Sequence, residues 1–304
     1  MLLKSRLQEQ KEKTKAPWDK IEQDYVLSWI LEGITLVPEL NQHLVFKGGT
    51  CLKKCYFGNY RFSEDLDFSA KDDRIAEALP SLMENACELA MIKVQSLGEN
   101  VVFRCEPYVE KRPHPEGQQA FVIHARLPWH RDFYTTVYAE ISFCELILLP
   151  INSSKIIHPY GETLDGFVQT YPLEEIFAEK IRALLQFAKK LHERGWGRSR
   201  VRDYYDLWKI LNTYGASLNL SIVPSLVEKK CDHKGVIFNS LDDVLQEKLL
   251  LNVEKEWETW LADIVTDLPN KNRVMEDLKA RLADVFNKDK TELCMKIPTD
   301  NRGS

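Results

Sequence analysis

The sequence of 304 residues lacks the features that mark several special classes of protein. Gly and Pro number only 13 each and 44% of the residues are hydrophobic, which excludes collagen-like and low-complexity chains. Its seven cysteines contain no CxxC pair and its seven histidines no HExxH spacing, so neither a disulfide scaffold nor a zinc site is expected. No secretory leader, Walker loop or Gly-x-Ser-x-Gly elbow occurs, and no apolar run approaches the roughly 20 residues that span a bilayer. We therefore expect a globular cytoplasmic protein.

The sequence also lacks an excess of basic residues. It has 41 Lys and Arg against 46 Asp and Glu, a net charge of −5, whereas nucleic-acid-binding domains are usually basic. The charge is unevenly distributed, because residues 179–209 hold nine basic and four acidic side chains. That stretch carries +5 and the remainder −10. Arg198, Arg200 and Arg202 are therefore candidates for binding a polyanionic acceptor, and Trp196 is a candidate for stacking on bases.

The type of periodicity changes near residue 170, which suggests two domains, over residues 1–170 and 171–304. Strands and helices alternate in the first, with helices predicted over 17–36 and 74–97 and strands over 44–46, 66–69, 101–108, 120–127 and 135–143. The second is predicted to be helical over 172–191, 201–214, 222–230, 241–264 and 271–286. Residues 111–119 (KRPHPEGQQ) indicate a loop, and the last eight residues are expected to be frayed.

The most informative segment is Phe46 to Ser69, FKGGTCLKKCYFGNYRFSEDLDFS. It places a Gly-Gly-Thr turn at the start of a helix, where backbone N–H groups can approach phosphates closely. An Asp-x-Asp pair follows. On a strand, Asp65 and Asp67 project from the same face, and two adjacent carboxylates favour a divalent cation between them.

A third carboxylate is expected if two ions are to be held. Glu140 is the candidate, because it lies on the polar face of a strand whose other face is apolar. Oxygen ligands of this kind suit Mg²⁺ or Mn²⁺. Read separately, however, the aspartates are equally consistent with a solvated strand edge or a helix cap, and Glu140 with an ordinary exposed strand position.

Three separated blocks together resemble the AbiEii/AbiGii toxin family of nucleotidyltransferases: FKGGTCLKK with RFSEDLDFS, VYAEISF, and EEIFAEKIRALL with RVRDYYDLW. The resemblance covers residues 44–211. It implies an α+β fold, in which a polymerase-β-like core with a mixed sheet flanked by helices precedes an all-helical C-terminal domain that contributes to the active site and to acceptor binding.

The resemblance also implies roles for individual residues. Gly49 and Thr50 correspond to the Gly-Ser of the family signature, with Thr retaining the hydroxyl for a phosphate contact, and Asp65 and Asp67 correspond to the metal-binding pair. Lys180 corresponds to a lysine that contacts the triphosphate, and Asp203 to a catalytic acid that orients Lys180 or Arg202 or acts as a base. Glu140 matches only by pattern. Other expected nucleotide contacts are Lys47, Gly48, Lys53, Arg61 and Ser63.

The implied activity is metal-dependent transfer of a nucleoside monophosphate (NMP) from a nucleoside triphosphate (NTP) to an acceptor, which in studied relatives is the 3′ end of tRNA. The protein would then be the toxin of a toxin–antitoxin or phage-defence system, with an antitoxin as partner. One alternative is a kinase-like or adenylylating enzyme acting on protein or a small molecule, with Ser63 as a modifiable hydroxyl. Another is a non-enzymatic nucleic-acid regulator or antitoxin on a degenerate core, although such a core would be expected to have lost carboxylates that are present here.

Overall fold

The computed structural model describes residues 2–109 and 117–294, with only the backbone course for residues 287–294. It contains two compact units. The first comprises Met1–Pro172 and Ala262–Asp267, and the second comprises Leu173–Leu261 and Leu268–Ser304. Of the predicted loop at 111–119, residues 111–116 lie outside the described residues, as does the predicted frayed C-terminus.

The first unit is built on a mixed sheet of seven strands in the order β3-β4-β5-β2-β1-β7-β6. β2 is parallel to β5 and β1 is parallel to β7, whereas the other neighbouring strands are antiparallel. The strands are β1 (Leu44–Lys47), β2 (Asp65–Ala70), β3 (Val102–Pro107), β4 (Gln118–Arg126), β5 (Thr135–Ser142), β6 (Asn152–Lys155) and β7 (Phe167–Thr170).

Side-chain alternation gives this sheet one closed and one open face. On β5, Val137 and Ile141 are fully buried, whereas Tyr138 is exposed and Glu140 half-buried. Thr135 shares the face of Val137 and donates a hydrogen bond to Glu22 of a neighbouring helix. Helices therefore cover the face of Val137, while the face of Tyr138 and Glu140 remains open along β5.

The described residues of this unit form the helices α1 (Leu2–Thr14), α2 (Trp18–Leu36), α3 (Pro38–His43), α4 (Gly48–Cys51, continued by a π-helical segment, Leu52–Phe57) and α5 (Leu79–Ser96). The predicted helix over 17–36 is confirmed as α2. The helix predicted over 74–97 begins only at Leu79, because Pro80 occupies its first turn, where a missing N–H costs nothing. α1 and α3 were not predicted, nor were β6 (NSSK) and β7 (FVQT), which lack clear apolar alternation.

The second unit is helical in the described residues, as predicted. It contains α6 (Leu173–Arg194), α7 (Val201–Tyr214), α8 (Val223–His233), α9 (Glu247–Leu261) and α10 (Lys271–Cys294), with short 3₁₀ turns at Leu220–Ile222 and Leu241–Val244. The helix predicted over 241–264 is divided, because Ser240 caps the 3₁₀ turn and a new helix starts at Glu247. In the described part of the chain, no helix is long and apolar enough to cross a membrane.

Candidate active site

Strand pairing brings the three predicted metal-binding carboxylates to one face of the sheet. Asp67 of β2 lies directly beside Glu140 of β5 in the parallel register, and Asp65 lies beside Tyr138. Asp65, Asp67 and Glu140 are all half-buried. Gln118 of β4 donates a hydrogen bond to Glu140 Oε2 over 2.9 Å, which fixes one oxygen of that carboxylate.

The glycine turn lies against the same carboxylates because β1 and β2 are antiparallel. Lys47, the last residue of β1, pairs with Asp67, so the chain enters α4 beside the start of β2. Gly48 has φ +77°, and a Cβ there would collide with Asp67 Oδ2. Both the left-handed backbone and the close approach require glycine at this position.

Thr50 tethers the turn to the Asp-x-Asp strand. Its side chain is fully buried and its hydroxyl donates a hydrogen bond of 2.5 Å to the backbone carbonyl of Asp65. This differs from the phosphate contact predicted for the hydroxyl, because the oxygen faces the protein interior. The Thr50 hydroxyl therefore holds the glycine turn to the start of β2.

A loop before β2 supplies positive charge at the glycine turn. The guanidinium of Arg61 packs against Gly49 and donates to the Phe62 carbonyl over 3.2 Å. The Phe62 N–H in turn donates to the Ile264 carbonyl over 2.8 Å, so the returning segment Ala262–Asp267 anchors this loop. Arg61 is therefore held in place at the start of α4.

Two other predicted nucleotide contacts have partners within the protein. Lys53 is buried, donates to the Tyr60 carbonyl over 3.3 Å and lies 4.1 Å from the centre of the Phe62 ring. The Ser63 hydroxyl donates to Asp65 Oδ1 over 3.4 Å and is also buried. Lys53 therefore binds the loop that precedes β2 through the Tyr60 carbonyl. The Ser63 hydroxyl orients the Asp65 carboxylate and is not presented to solvent as a modifiable group. Lys47 lies 5.7 Å from the centre of the Tyr171 ring.

The donors of the open face suit a divalent cation by their chemistry and by their positions on adjacent strands. In the described residues, however, no group of three or more His, Cys, Asp or Glu side chains is arranged to hold a metal ion. Burial raises the pKa of Cys51 well above its ordinary value, and the Asp67 charge adds to this rise, so the thiol stays neutral beside the site.

In the second unit, Lys180 of α6 lies between two aspartates of α7. Its Nζ is 2.9 Å from Asp203 Oδ1 and 2.5 Å from Asp206 Oδ2. The expected pairing of Lys180 with Asp203 is present, while Asp206 was not singled out from the sequence. The i, i+3 spacing of the two aspartates, which puts them on one face of a helix, was the available signal.

The basic stretch is divided between exposed and engaged side chains. Arg198 is exposed, and Arg200 Nη1 lies 3.5 Å from Asp203 Oδ2. Arg202 places its guanidinium carbon 5.4 Å from the centre of the Trp260 ring. Trp196 is 66% exposed, as a contact residue requires. The roles of these arginines in acceptor binding remain predictions.

Comparison with known families agrees with this geometry. The family model for the nucleotidyl transferase AbiEii toxin of type IV toxin–antitoxin systems matches residues 29–287. The chain belongs to the AbiEii toxin family. The match extends well beyond the blocks recognised in the sequence and includes most of the second unit. The chain is accordingly an AbiEii-type nucleotidyltransferase toxin, and the family implies an NTP substrate and an antitoxin partner.

Solved structures show the same fold at low sequence identity. The chain is similar to MenT4, a nucleotidyltransferase toxin from Mycobacterium tuberculosis H37Rv, with a TM-score of 0.62 and 20% identity, over 93% of this chain and 86% of that one. It is also similar to a candidate nucleotidyltransferase from H. pylori, with a TM-score of 0.53 and 16% identity, over 89% of this chain and 96% of the other. The predicted α+β nucleotidyltransferase fold is thereby confirmed. No curated protein sequence matches.

Proposed function

We propose that this AbiEii toxin transfers a nucleoside monophosphate from an NTP to the 3′ end of tRNA in a reaction that depends on Mg²⁺ or Mn²⁺. The observation that carries the proposal is the register between β2 and β5. It sets Asp67 beside Glu140, with Asp65 on the same face, and the Gly48 turn packs against Asp67. Carboxylates and a phosphate-binding turn thus share one surface.

In the proposed reaction an acceptor hydroxyl oxygen forms a bond to the α-phosphorus of the NTP. The bond from that phosphorus to the oxygen bridging to the β-phosphate breaks, and pyrophosphate leaves. The hydroxyl proton passes to a carboxylate of the site or to solvent. Asp65, Asp67 and Glu140 would hold divalent cations, and these would supply charge neutralisation at the leaving phosphates and Lewis acidity toward the attacking hydroxyl.

Residues around α4 have a separate role in the proposal. The backbone N–H groups of Gly48 and Gly49 and the Arg61 guanidinium would bind the triphosphate, because a helix start and a cation both favour negative charge. Thr50 and Ser63 maintain the geometry through their bonds to Asp65. By family resemblance, Lys180 contacts the triphosphate and Asp203 orients it, as their 2.9 Å pairing permits.

The test is incubation of the purified protein with total tRNA, Mg²⁺ and each of four α-labelled NTPs in turn. We expect label in tRNA with at least one nucleotide, sensitivity to a chelator, and loss of the label when the 3′ hydroxyl is oxidised beforehand. A parallel series with γ-labelled NTPs distinguishes nucleotidyl from phosphoryl transfer.

The matched control is Asp65→Asn, which keeps the size of the side chain and removes its charge. It should abolish labelling while leaving the unfolding temperature near that of the unaltered protein. Undiminished transfer by this variant would refute the metal-binding assignment. Label that is transferred only from the γ-position would show that the protein transfers a phosphoryl group and not a nucleotide. Label in protein but not in tRNA would show that the acceptor is a protein.

A further inference from the structure

The open face of the sheet continues beyond the carboxylates, across β5, β4 and β3. Along the register, Tyr138 lies beside Asp65 on one side and Val122 on the other, and Glu106 of β3 follows. This surface is continuous with the candidate active site. It lies on the opposite side of β2 from β1, at whose end the glycine turn is found.

Two tyrosines on this surface present their rings beside the carboxylates. Tyr108 follows β3, and its N–H is bonded to the Ala120 carbonyl of β4. The rings of Tyr108 and Tyr138 are in edge contact, with centroids 5.3 Å apart and an interplanar angle of 72°. Tyr108 is 38% exposed and Tyr138 is 37% exposed. More than a third of each tyrosine of this contacting pair is therefore accessible to solvent, where an aromatic base could stack on it.

A cation and a further ring extend the surface away from the carboxylates. The guanidinium carbon of Arg104 lies 4.9 Å from the centre of the Phe133 ring, while its Nε is 2.9 Å from Glu106. The guanidinium of Arg104 therefore lies beside an aromatic ring and a carboxylate. Stacking rings together with a fixed guanidinium form the combination by which proteins bind single-stranded nucleic acid.

The stereochemistry of the reaction suits an acceptor on this side. In an in-line displacement the attacking and leaving oxygens lie on opposite sides of the α-phosphorus. The proposed triphosphate site is at the start of α4, next to β1. An acceptor hydroxyl that approaches over β5 and β4, on the side of β2 away from β1, would meet this requirement, and Tyr138 and Tyr108 lie there.

We propose that Tyr108 and Tyr138 form the acceptor subsite, on which the terminal bases of a single-stranded RNA 3′ end stack. The inference rests on the proposed nucleotidyl transfer, but it concerns binding and can be tested without it. It assigns recognition of the RNA end to the first unit, whereas the arginines of residues 198–202 belong to the second unit.

The test measures binding of a fluorescent single-stranded RNA, ending with the 3′ sequence shared by tRNAs, to the full chain without NTP. The variants are Tyr138→Ala, the double change Tyr108→Ala with Tyr138→Ala, and the conservative Tyr138→Trp. Phe167→Ala is the matched control, because Phe167 is an exposed aromatic strand residue on β7, near the opposite edge of the sheet. We expect Kd to rise about 10-fold or more in the double variant, with little change for Tyr138→Trp and for Phe167→Ala.

Transfer kinetics separate this subsite from the nucleotide site. The double variant should raise KM for tRNA about 10-fold and leave KM for the NTP unchanged. The inference is overturned if the unaltered chain does not bind the oligonucleotide, if the double variant binds it equally well, or if KM rises for the NTP instead. Loss of RNA binding in the double variant, with no transfer by the unaltered chain, would sustain the subsite and refute the proposed reaction.

Discussion

The first unit carries two sets of carboxylates with different surroundings. The buried set, Glu22, Asp24 and Glu32, lies on α2 and is at most 1% exposed. The sheet-face set, Asp65, Asp67 and Glu140, is half-buried on the open side of the sheet. Because an isolated buried charge is costly, each member of the first set needs donors from the protein, whereas the second set retains contact with solvent.

The buried set accepts hydrogen bonds from protein donors, although Asp24 Oδ1 is buried without a partner. Glu22 accepts hydrogen bonds from the Trp18, Trp129 and Thr135 side chains. Asp24 pairs with buried Lys54 at 2.6 Å and accepts from the Tyr160 hydroxyl at 2.8 Å. Burial lowers the pKa of Lys54 to about 8, although Asp24 opposes the shift. These carboxylates hold elements together, and their function is structural.

The sharpest test of the comparison is Asp67→Asn in the sheet-face set. We expect transfer activity to fall by about three orders of magnitude, because the proposed metal site would lose a charge, while the free energy of unfolding stays the same or rises. Labelled-NMP transfer and urea unfolding of the same preparation measure both. If activity were retained, or if stability fell in proportion to activity, the sheet-face carboxylates would not differ in function from the buried carboxylates.

The opposite pattern is expected for Asp24→Asn in the buried set. Removing this charge leaves Lys54 buried without its carboxylate, which costs about 3 kcal/mol of unfolding free energy. Urea unfolding checks this value. The double variant Asp24→Leu with Lys54→Met should recover part of the loss, because no buried charge remains, and a double variant less stable than Asp24→Asn would contradict the argument.

Asp206→Asn tests whether a fully buried carboxylate contributes to the reaction by positioning Lys180. It removes one of the two carboxylates that hold Lys180, and we expect kcat/KM for the NTP to fall about 10- to 100-fold, the worth of a hydrogen bond between charged groups. The control is Glu193→Gln, at an exposed position of α6. Asp206→Glu should restore part of the activity if Asp206 positions Lys180, and an equal loss in both variants would indicate a packing role.

The smallest effect is expected for His158→Gln, near the buried set. Burial lowers the pKa of His158 below its ordinary value of 6.5, so the folded protein keeps this ring neutral at a pH where the unfolded chain takes up a proton. Its contribution to stability is therefore complete above pH 6.5 and is lost as the pH falls below that value. Comparing Tm at about pH 7.5 and about pH 5.5, we expect a smaller decrease in His158→Gln than in the unaltered chain. Equal decreases would exclude His158 as the cause.

Much of the candidate site could be predicted from local pattern. Apolar alternation on β5 identified Glu140 as a polar-face residue, and two-residue spacing put Asp65 and Asp67 together. The roles of Thr50 and Lys53 could not be predicted, because the hydroxyl of one and the ammonium of the other bond to backbone carbonyls that only the folded chain brings near. The contact of Asp206 with Lys180 joins two helices, although the i, i+3 spacing of Asp203 and Asp206 was a signal available in the sequence.

The sequence by itself determined the toxin family, the carboxylate and glycine residues of the site, and the alternation of mixed and helical regions, because these depend on residue types at short spacings. The tertiary structure decided that Glu140 stands beside Asp67, that the glycine turn packs against that carboxylate, and that Tyr108 meets Tyr138 on the open face. Each of these follows from pairing between strands distant in the chain. Such pairing is selected by burial of the whole closed face and is not encoded in any single segment.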